Sequence, residues 1–303
     1  MDFPAAILPI FASTLLPVFL VAATGALLAT RIPLDGRTLG RIVFYLATPS
    51  LVFRSLYEMD VDLGSLQRIA LIAVVVSIAT GLLGWLAGFD QPRERRSAFV
   101  LTSAVPNNGN MGLPICLFAF GAPGLTLATV YYVTSSFLTN TVGVVVASAG
   151  RAPLGVALQQ SLRVPMLYAA FLGLLFNRTG LALPVGVFRA IDLLASAAIP
   201  GMLILLGIQL RHAPLRDRQW VIMRATSIRL LAAPILAWLI CSIMGVGGLE
   251  RNVITLQAAM PTAVMISVLS TEYETAPRLV AAIILLTTLL SMLTLSLVLW
   301  YIL

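Results

Sequence analysis

Ten apolar stretches follow one another along the chain, at about 6–29, 39–57, 66–88, 98–120, 124–148, 158–177, 186–210, 219–246, 252–270 and 278–301. Each is close to the ~20 residues that a helix needs to cross a bilayer. Polar and charged positions gather in short connections, which leave no room for a separate water-soluble domain. The pattern predicts an all-α polytopic membrane protein with ten transmembrane helices. Composition agrees: 59% of the 303 residues are hydrophobic and 10% are charged, against roughly 25% charged in soluble domains. The first stretch follows MDFPA, has no basic residues ahead of it and is longer than a signal core, so it is expected to span rather than to be cleaved.

The apolar pattern fails in two places. VPNNGNMGLP (105–114) interrupts the fourth stretch, and AMPTAVM (259–265) interrupts the ninth. Pro106, Gly112 and Pro114 in the one, and Pro261 in the other, are expected to break their helices near the bilayer centre. A proline inside a helix costs roughly 3 kcal/mol, because it removes a donor and crowds the preceding turn. Irregular backbone at that depth is tolerated only when it is buried in protein or lines a wet cavity. Pro17, Pro165 and Pro234 are expected to be ordinary kinks.

The breaks take part in a weak internal repeat. Pro17 and Gly25 match Pro165 and Gly173 at an offset of 148, Pro49 matches Pro200 at 151, and Pro106 matches Pro261 at 155. Residues 1–150 and 151–303 would then be two five-helix halves. Five is odd, so the halves would be inverted with respect to each other, with broken helices four and nine in corresponding places.

The formal net charge is +7, and every basic residue is an arginine. In this setting the charge reads as a topology signal and not as a nucleic-acid surface. Twelve arginines (31, 37, 41, 93, 95, 96, 151, 163, 211, 216, 218 and 278) fall on one side and five (54, 68, 178, 189 and 251) on the other. Arg224 and Arg229, near the start of the eighth helix, lean with the larger group. The positive-inside bias places both termini outside, in a cell inner membrane. Cys116 and Cys241 read as buried free thiols, and His212 as a solvated loop residue. No metal or cofactor motif is present.

The breaks carry the chemistry. The second half of a broken helix presents N-terminal amides with partial positive charge, which hold anions without a full charge. Asn107, Asn108 and Asn110 add neutral donors and acceptors. No lysine, and no arginine assigned to a midplane, is at hand to fix an anion permanently. None of the twelve acids lies deep in a span. Transport would therefore be uniport, or coupled to a cation held by backbone carbonyls and Asn side chains. Ser103 or Ser136 as a nucleophile lacks a base within reach, which disfavours an enzyme. An anion channel or a binding-only sensor on the same fold is the alternative.

VPNNGNMGLPICLFAFG (105–121) resembles the first crossover helix of the auxin efflux carrier family, which includes plant PIN-FORMED carriers and bacterial organic-anion transporters. AAMPTAVMISVLSTEYETAPRL (258–279) is similar to the second crossover and its following loop, and IRLLAAPILA (228–237) to the eighth helix. The resemblance implies a scaffold unit from about 6–57 and 158–210, usually dimeric, and a mobile transport unit from about 66–148 and 219–301. It also implies elevator-like alternating access for a carboxylate, either auxin-like or of the malate and malonate type. Asn107 matches the family's substrate-contacting asparagine, and Thr48 and Ser50 flank Pro49 where plant carriers place a pocket serine. The candidate site is thus Pro106, Asn107, Asn108, Gly109 and Asn110, with Pro261, Thr262, Ala263, Met265, Thr48 and Ser50. The chain departs from the family at Met265, where many bacterial members have asparagine. In GSLQR (64–68), Gly64 replaces an acid, with Asp60 and Asp62 nearby. The long loop of plant carriers is reduced to about 150–157.

Overall fold

A computed structural model describes residues 3–148, 153–210 and 219–303. Arg151, the arginine- and histidine-bearing loop 211–218 and the junction expected near 150 lie outside the described residues. The elements are α1 (3–31), α2 (36–57), α3 (Leu63–Ala87), α4 (Arg93–Ala104), α5 (108–120), α6 (122–147), α7 (Leu154–Ser161), α8 (Pro165–Thr179), α9 (Val185–Leu210), α10 (Gln219–Ile243), α11 (Gly248–Ala258), α12 (Met265–Glu272) and α13 (Pro277–Ile302). Among the described residues, six helices are long and apolar enough to cross a membrane: Ile7–Arg31, Leu63–Ala87, Asn108–Ala147, Val185–Leu210, Gln219–Ile243 and Pro277–Ile302. The other expected spans are helical but shorter or interrupted or, in α2, less apolar, with Arg37, Arg41 and Arg54 along it. Pairing of β type among the described residues is one antiparallel bridge, Pro106 with Thr262.

Prolines shape the helices in a consistent way. Four of the five π turns among the described residues, Phe11–Leu15, Val43–Ala47, Asn108–Gly112 and Ile228–Ala232, each end just ahead of a proline, at Pro17, Pro49, Pro114 and Pro234; the fifth, Thr139–Gly143, has no proline just after it. A proline ring crowds the carbonyl four residues back, and widening the preceding turn relieves it. Two of the three expected kinks, Pro17 and Pro234, are therefore π turns. Pro165 opens α8 as its first residue, where its missing N–H costs nothing. Gly112 and Pro114 do not interrupt their helix, which runs on through the widened turn. The real interruption downstream is Gly121, at φ 68° and ψ −161°, a backbone setting open to glycine. It divides α5 from α6.

Packing falls into two groups. In the first, α1 lies on α9 and α2 lies on α8 and α9. The contacts are backbone-close: a Cβ on Gly207 would fall on the Ala22 carbonyl, one on Gly25 on the Ile204 backbone, and one on Gly173 would lie 2.8 Å from Phe53 O. Arg54 pairs with Asp192 at 2.6 Å, and Asn177 Nδ2 donates to Tyr57 O and Met59 O at 2.8 and 3.0 Å, which ties α2 to α8 and α9. In the second group, α3 packs on α4, α6 and α10, and α11 packs on α10 and the Leu113–Leu138 stretch. A Cβ on Gly84 would lie 2.6 Å from Phe99 O, so α3 and α4 also touch through backbone.

Charged residues sit at the ends of this second group. Arg224 pairs with Asp90 at 3.0 Å, joining α10 to the α3–α4 loop. Arg68 Nη2 lies 2.8 Å from Glu250 Oε1, joining the starts of α3 and α11. Asp62 caps α3 by accepting from the Ser65 amide at 3.0 Å. Hydrogen bonds from the Ser65 hydroxyl and amide hold its carboxyl below the usual aspartate value. Arg68 therefore finds its acid in Glu250, 182 residues away, rather than at Gly64. An added Cβ at Gly64 would meet Asp62 Oδ1 at 2.7 Å.

Gly207→Ala should lower stability by about 1–3 kcal/mol, because the obstructing atoms are backbone and the two helices must separate. Gly186, with open space around its Cα, serves as the control. Thermal melting of the purified protein in detergent tests this, and equal midpoints for Gly207→Ala and Gly186→Ala would contradict the close approach.

Candidate functional site

The two sequence breaks meet each other. Val105, ahead of a proline, is held extended at φ −109° and ψ 98°. The segment 105–107 then runs antiparallel to 261–263. Asn107 N donates to Pro261 O at 2.7 Å, and Ala263 N donates to Val105 O at 3.0 Å. These two bonds exchange with each other when Pro106 is mapped onto Thr262, one residue away from the sequence match of Pro106 with Pro261.

Breaking α4 and α11 leaves carbonyls without their helical donors. Thr102 O would accept from position 106, which is proline, and it takes the Thr262 hydroxyl instead at 2.8 Å. Ser103 O would accept from Asn107 N, which has gone to Pro261 O. Ala258 O would accept from Thr262 N, which has gone to Thr287 Oγ1 at 3.3 Å. One side chain repairs both losses. Arg229 Nη1 donates to Ser103 O at 2.6 Å, and Nη2 donates to Ala258 O. Arg229 is 1% exposed, and it stands in the π turn of α10. The expectation that no arginine lies at this depth is thus corrected: Arg229, placed with Arg224 near the start of the eighth helix, is buried against both broken helix ends.

The amide side of the crossing is open. Met111 N and Gly112 N return to Asn107 O at 3.2 and 3.1 Å. The amides of Gly109 and Asn110, and those of Val264 and Met265, have no hydrogen-bond partner among the described residues. These pairs stand at matching positions, 155 residues apart. Beside them, Asn107 Nδ2, both polar atoms of the Asn108 side chain and Gln257 Oε1 are buried without a partner. Asn107 is 4% exposed, Asn108 2% and Gln257 0%. A buried carboxamide left unpaired costs about 1–3 kcal/mol. The Nδ2 groups of Asn107 and Asn108 are donors beside the unfilled helix amides and suit acceptor oxygens, whereas Asn108 Oδ1 and Gln257 Oε1 are acceptors and suit a donor.

The expected residues divide by position. Pro106, Asn107, Asn108, Gly109, Pro261, Thr262 and Ala263 are buried at the crossing. Asn110 is half-buried, and Met265 is 37% exposed at the start of α12. The Thr262 hydroxyl is engaged by Thr102 O. Thr48 is buried, and Ser50 donates to Leu46 O at 2.8 Å. Their helix packs on the Leu113–Leu138 stretch, whereas the 108–112 turn packs on α9 and α11. Small residues make room: a Cβ at Gly109 would meet the Tyr132 ring at 2.8 Å, and one at Gly112 would collide with the Gln257 carboxamide. Gln257 was missed from the sequence. Its signal is a glutamine near the middle of an apolar run, four residues before the break. A groove of about 870 Å³ between α3, α4 and α6 reaches Ala104 and Val105, with Arg93 and Arg96 also lining it.

A helical membrane protein with two broken helices paired through their backbones is the class this geometry defines. The family described as membrane transport protein matches residues 10–154 and 150–300. The chain belongs to that family, the auxin efflux carriers, and it is a multi-pass membrane transport protein. It is 30% identical over 267 residues to an uncharacterized transporter of Methanothermobacter thermautotrophicus, covering 87% of this chain and 88% of the relative. It is 28% identical over 274 residues to an uncharacterized transporter of Methanocaldococcus jannaschii, covering 87% and 89%. It is 26% identical over 295 residues to a Rhizobium meliloti protein named "Putative malonate transporter", covering 93% and 92%.

Removing an unpaired buried polar atom relieves a desolvation cost. Asn108→Leu and Gln257→Leu should therefore leave the melting temperature unchanged or raised. A fall of several degrees in both would show that these groups serve the fold rather than a ligand.

Proposed function

We propose that the chain is a secondary transporter of small organic anions working by elevator-like alternating access. One observation carries this reading: unfilled helix amides and unpaired buried carboxamides converge where two broken helices cross. An anion's oxygens would accept from the helix amides and from Nδ2 of Asn107 and Asn108, and the free carboxamide oxygens of Asn108 and Gln257 would take a hydroxyl or other donor of the ligand. The site has no fixed carboxylate, and a locus of dipoles holds an anion without trapping it.

In this reading the chain makes ten passes in two inverted five-helix repeats, with α4–α5 and α11–α12 as the crossed pair. Support comes from glycine contacts as well as prolines. Gly25 faces Ile204 and Gly173 faces Phe53. The glycines stand 148 residues apart and their partners 151, matching the offsets of the sequence repeat. The group of α1, α2, α8 and α9 would be the scaffold, dimeric through its outer face. The group of α3–α6 and α10–α13 would carry the site. The protein would lie in the cell inner membrane with both termini outside.

The relative named for malonate supports carboxylates as the substrate class, and malonate and indole-3-acetate are the probes to use. In proteoliposomes the wild-type chain should show saturable uptake and counterflow of one of them. Asn107→Ala should reduce uptake at least ~10-fold, the loss of a hydrogen bond to a charged partner, while the protein stays folded. Undiminished uptake by Asn107→Ala would remove the site assignment. Binding without uptake would make the protein a sensor, and single-channel currents would make it a channel.

A further inference from the structure

Four helix ends converge at the crossing. The carbonyl ends of α4 and α11 each carry roughly half a negative charge, and the amide ends of α5 and α12 each carry roughly half a positive charge. Left alone, these ends cancel, and the crossing favours neither sign of ion. Carbonyl ends stripped of their donors are also good ligands for a small inorganic cation. A transporter with free carbonyls here would need such a cation to bind before or with the substrate.

In this chain three of those carbonyls are taken, Thr102 O by the Thr262 hydroxyl and two by one arginine. The Arg229 guanidinium donates to Ser103 O and Ala258 O, equivalent positions 155 residues apart on the two broken helices. No carboxylate among the described residues pairs with it. Its charge is therefore balanced by the two carbonyl ends, whose combined charge is roughly one unit. The amide ends stay uncompensated, with a net charge of roughly plus one. Lysine could not span both carbonyls in the same way, because only the planar guanidinium presents two donors in a fixed fork. The first repeat has no charged residue at the corresponding stretch 73–81, so one arginine serves both halves.

We propose that Arg229 is a tethered counter-ion. It occupies the carbonyl ends where a co-transported cation would bind, and it leaves a positively biased crossing that selects anions without cation coupling. It is a positioning residue: it touches the helix ends, not the substrate. The uptake assay rests on the anion-transport reading above, while the placement of the arginine does not.

The test uses the full chain, purified and in proteoliposomes, with radiolabelled malonate. Wild-type uptake and melting temperature should be unchanged when choline replaces sodium and potassium. Arg229→Met, with a similar stem and no charge, should lose uptake at least ~10-fold, and Arg229→Lys should lose less. In Arg229→Ala, low-millimolar guanidinium should restore melting temperature and uptake, and urea, its neutral relative in shape, should restore neither. A purely packing role predicts equal rescue by guanidinium and urea and equal loss in the Met and Lys variants; either result overturns the proposal. So does a strict need of the wild type for an inorganic cation, which decides the matter even if the Ala variant does not fold. If the wild type carries no malonate, the malonate assignment fails, and the melting experiments still decide the role of Arg229.

Discussion

A helix broken inside a low-dielectric layer must do something with its carbonyls, and that constraint organises this molecule. Of the acceptors at the ends of α4 and α11 that lose their helical donors, three have found a substitute. The Thr262 hydroxyl covers Thr102 O, and the Arg229 fork covers Ser103 O and Ala258 O. The amides released in exchange do not all stay free. Asn107 N and Ala263 N are used to bind one break to the other. The crossing thus holds together through its own displaced hydrogen bonds. Among the described residues, the first-turn amides of α5 and α12 are left over.

Much of this was legible in the chain. Apolar runs located the helices, and Pro106 and Pro261 located the breaks, because a missing N–H is a local fact that no packing can undo. Asn107 and Asn108 stood out because carboxamides are costly at that depth. The misses share one cause: they depend on partners far along the chain. Arg229 lies ten residues into an apolar run, which already marks it as unusual, but only the fold shows that both broken ends converge on it. Gln257 looks like one polar residue in an amphipathic helix until Gly112 is seen beneath it. Glu250 cannot be matched to Arg68 from spacing. Gly121 is no miss: it falls in the gap between the stretches 98–120 and 124–148, where a connection was expected.

The second break had seemed too apolar to partner the first, with Met265 where an asparagine would stand. The polar contribution of that half is instead displaced by two turns of helix. Gln257 projects from α11 toward Gly112, so the second break answers the three asparagines of the first with one glutamine and two backbone amides. Such a site is uneven in side chains but nearly even in backbone. Recognition of charge would rest on the symmetric backbone part, and discrimination among anions on the uneven carboxamides.

Access to the locus requires movement, since Asn107 and Asn108 are 4% and 2% exposed. Where the molecule would slip is constrained by its glycines. Every tight approach at a glycine lies inside one packing group: Gly25, Gly173 and Gly207 within α1, α2, α8 and α9, and Gly84, Gly88 and Gly112 within the rest. None of those described crosses between the groups. Hydrogen bonds follow the same division, and a side-chain bond that does cross, Thr126 Oγ1 to Ser55 O, is long at 3.5 Å, with Ala122 O as an alternative acceptor for the same hydroxyl at 3.2 Å. Backbone-to-backbone contact resists sliding because it has no side chain to rearrange. Side-chain contact allows it, since rotamers can change partners. The two groups are interlocked within and more loosely keyed between, an arrangement compatible with the proposed movement of one against the other.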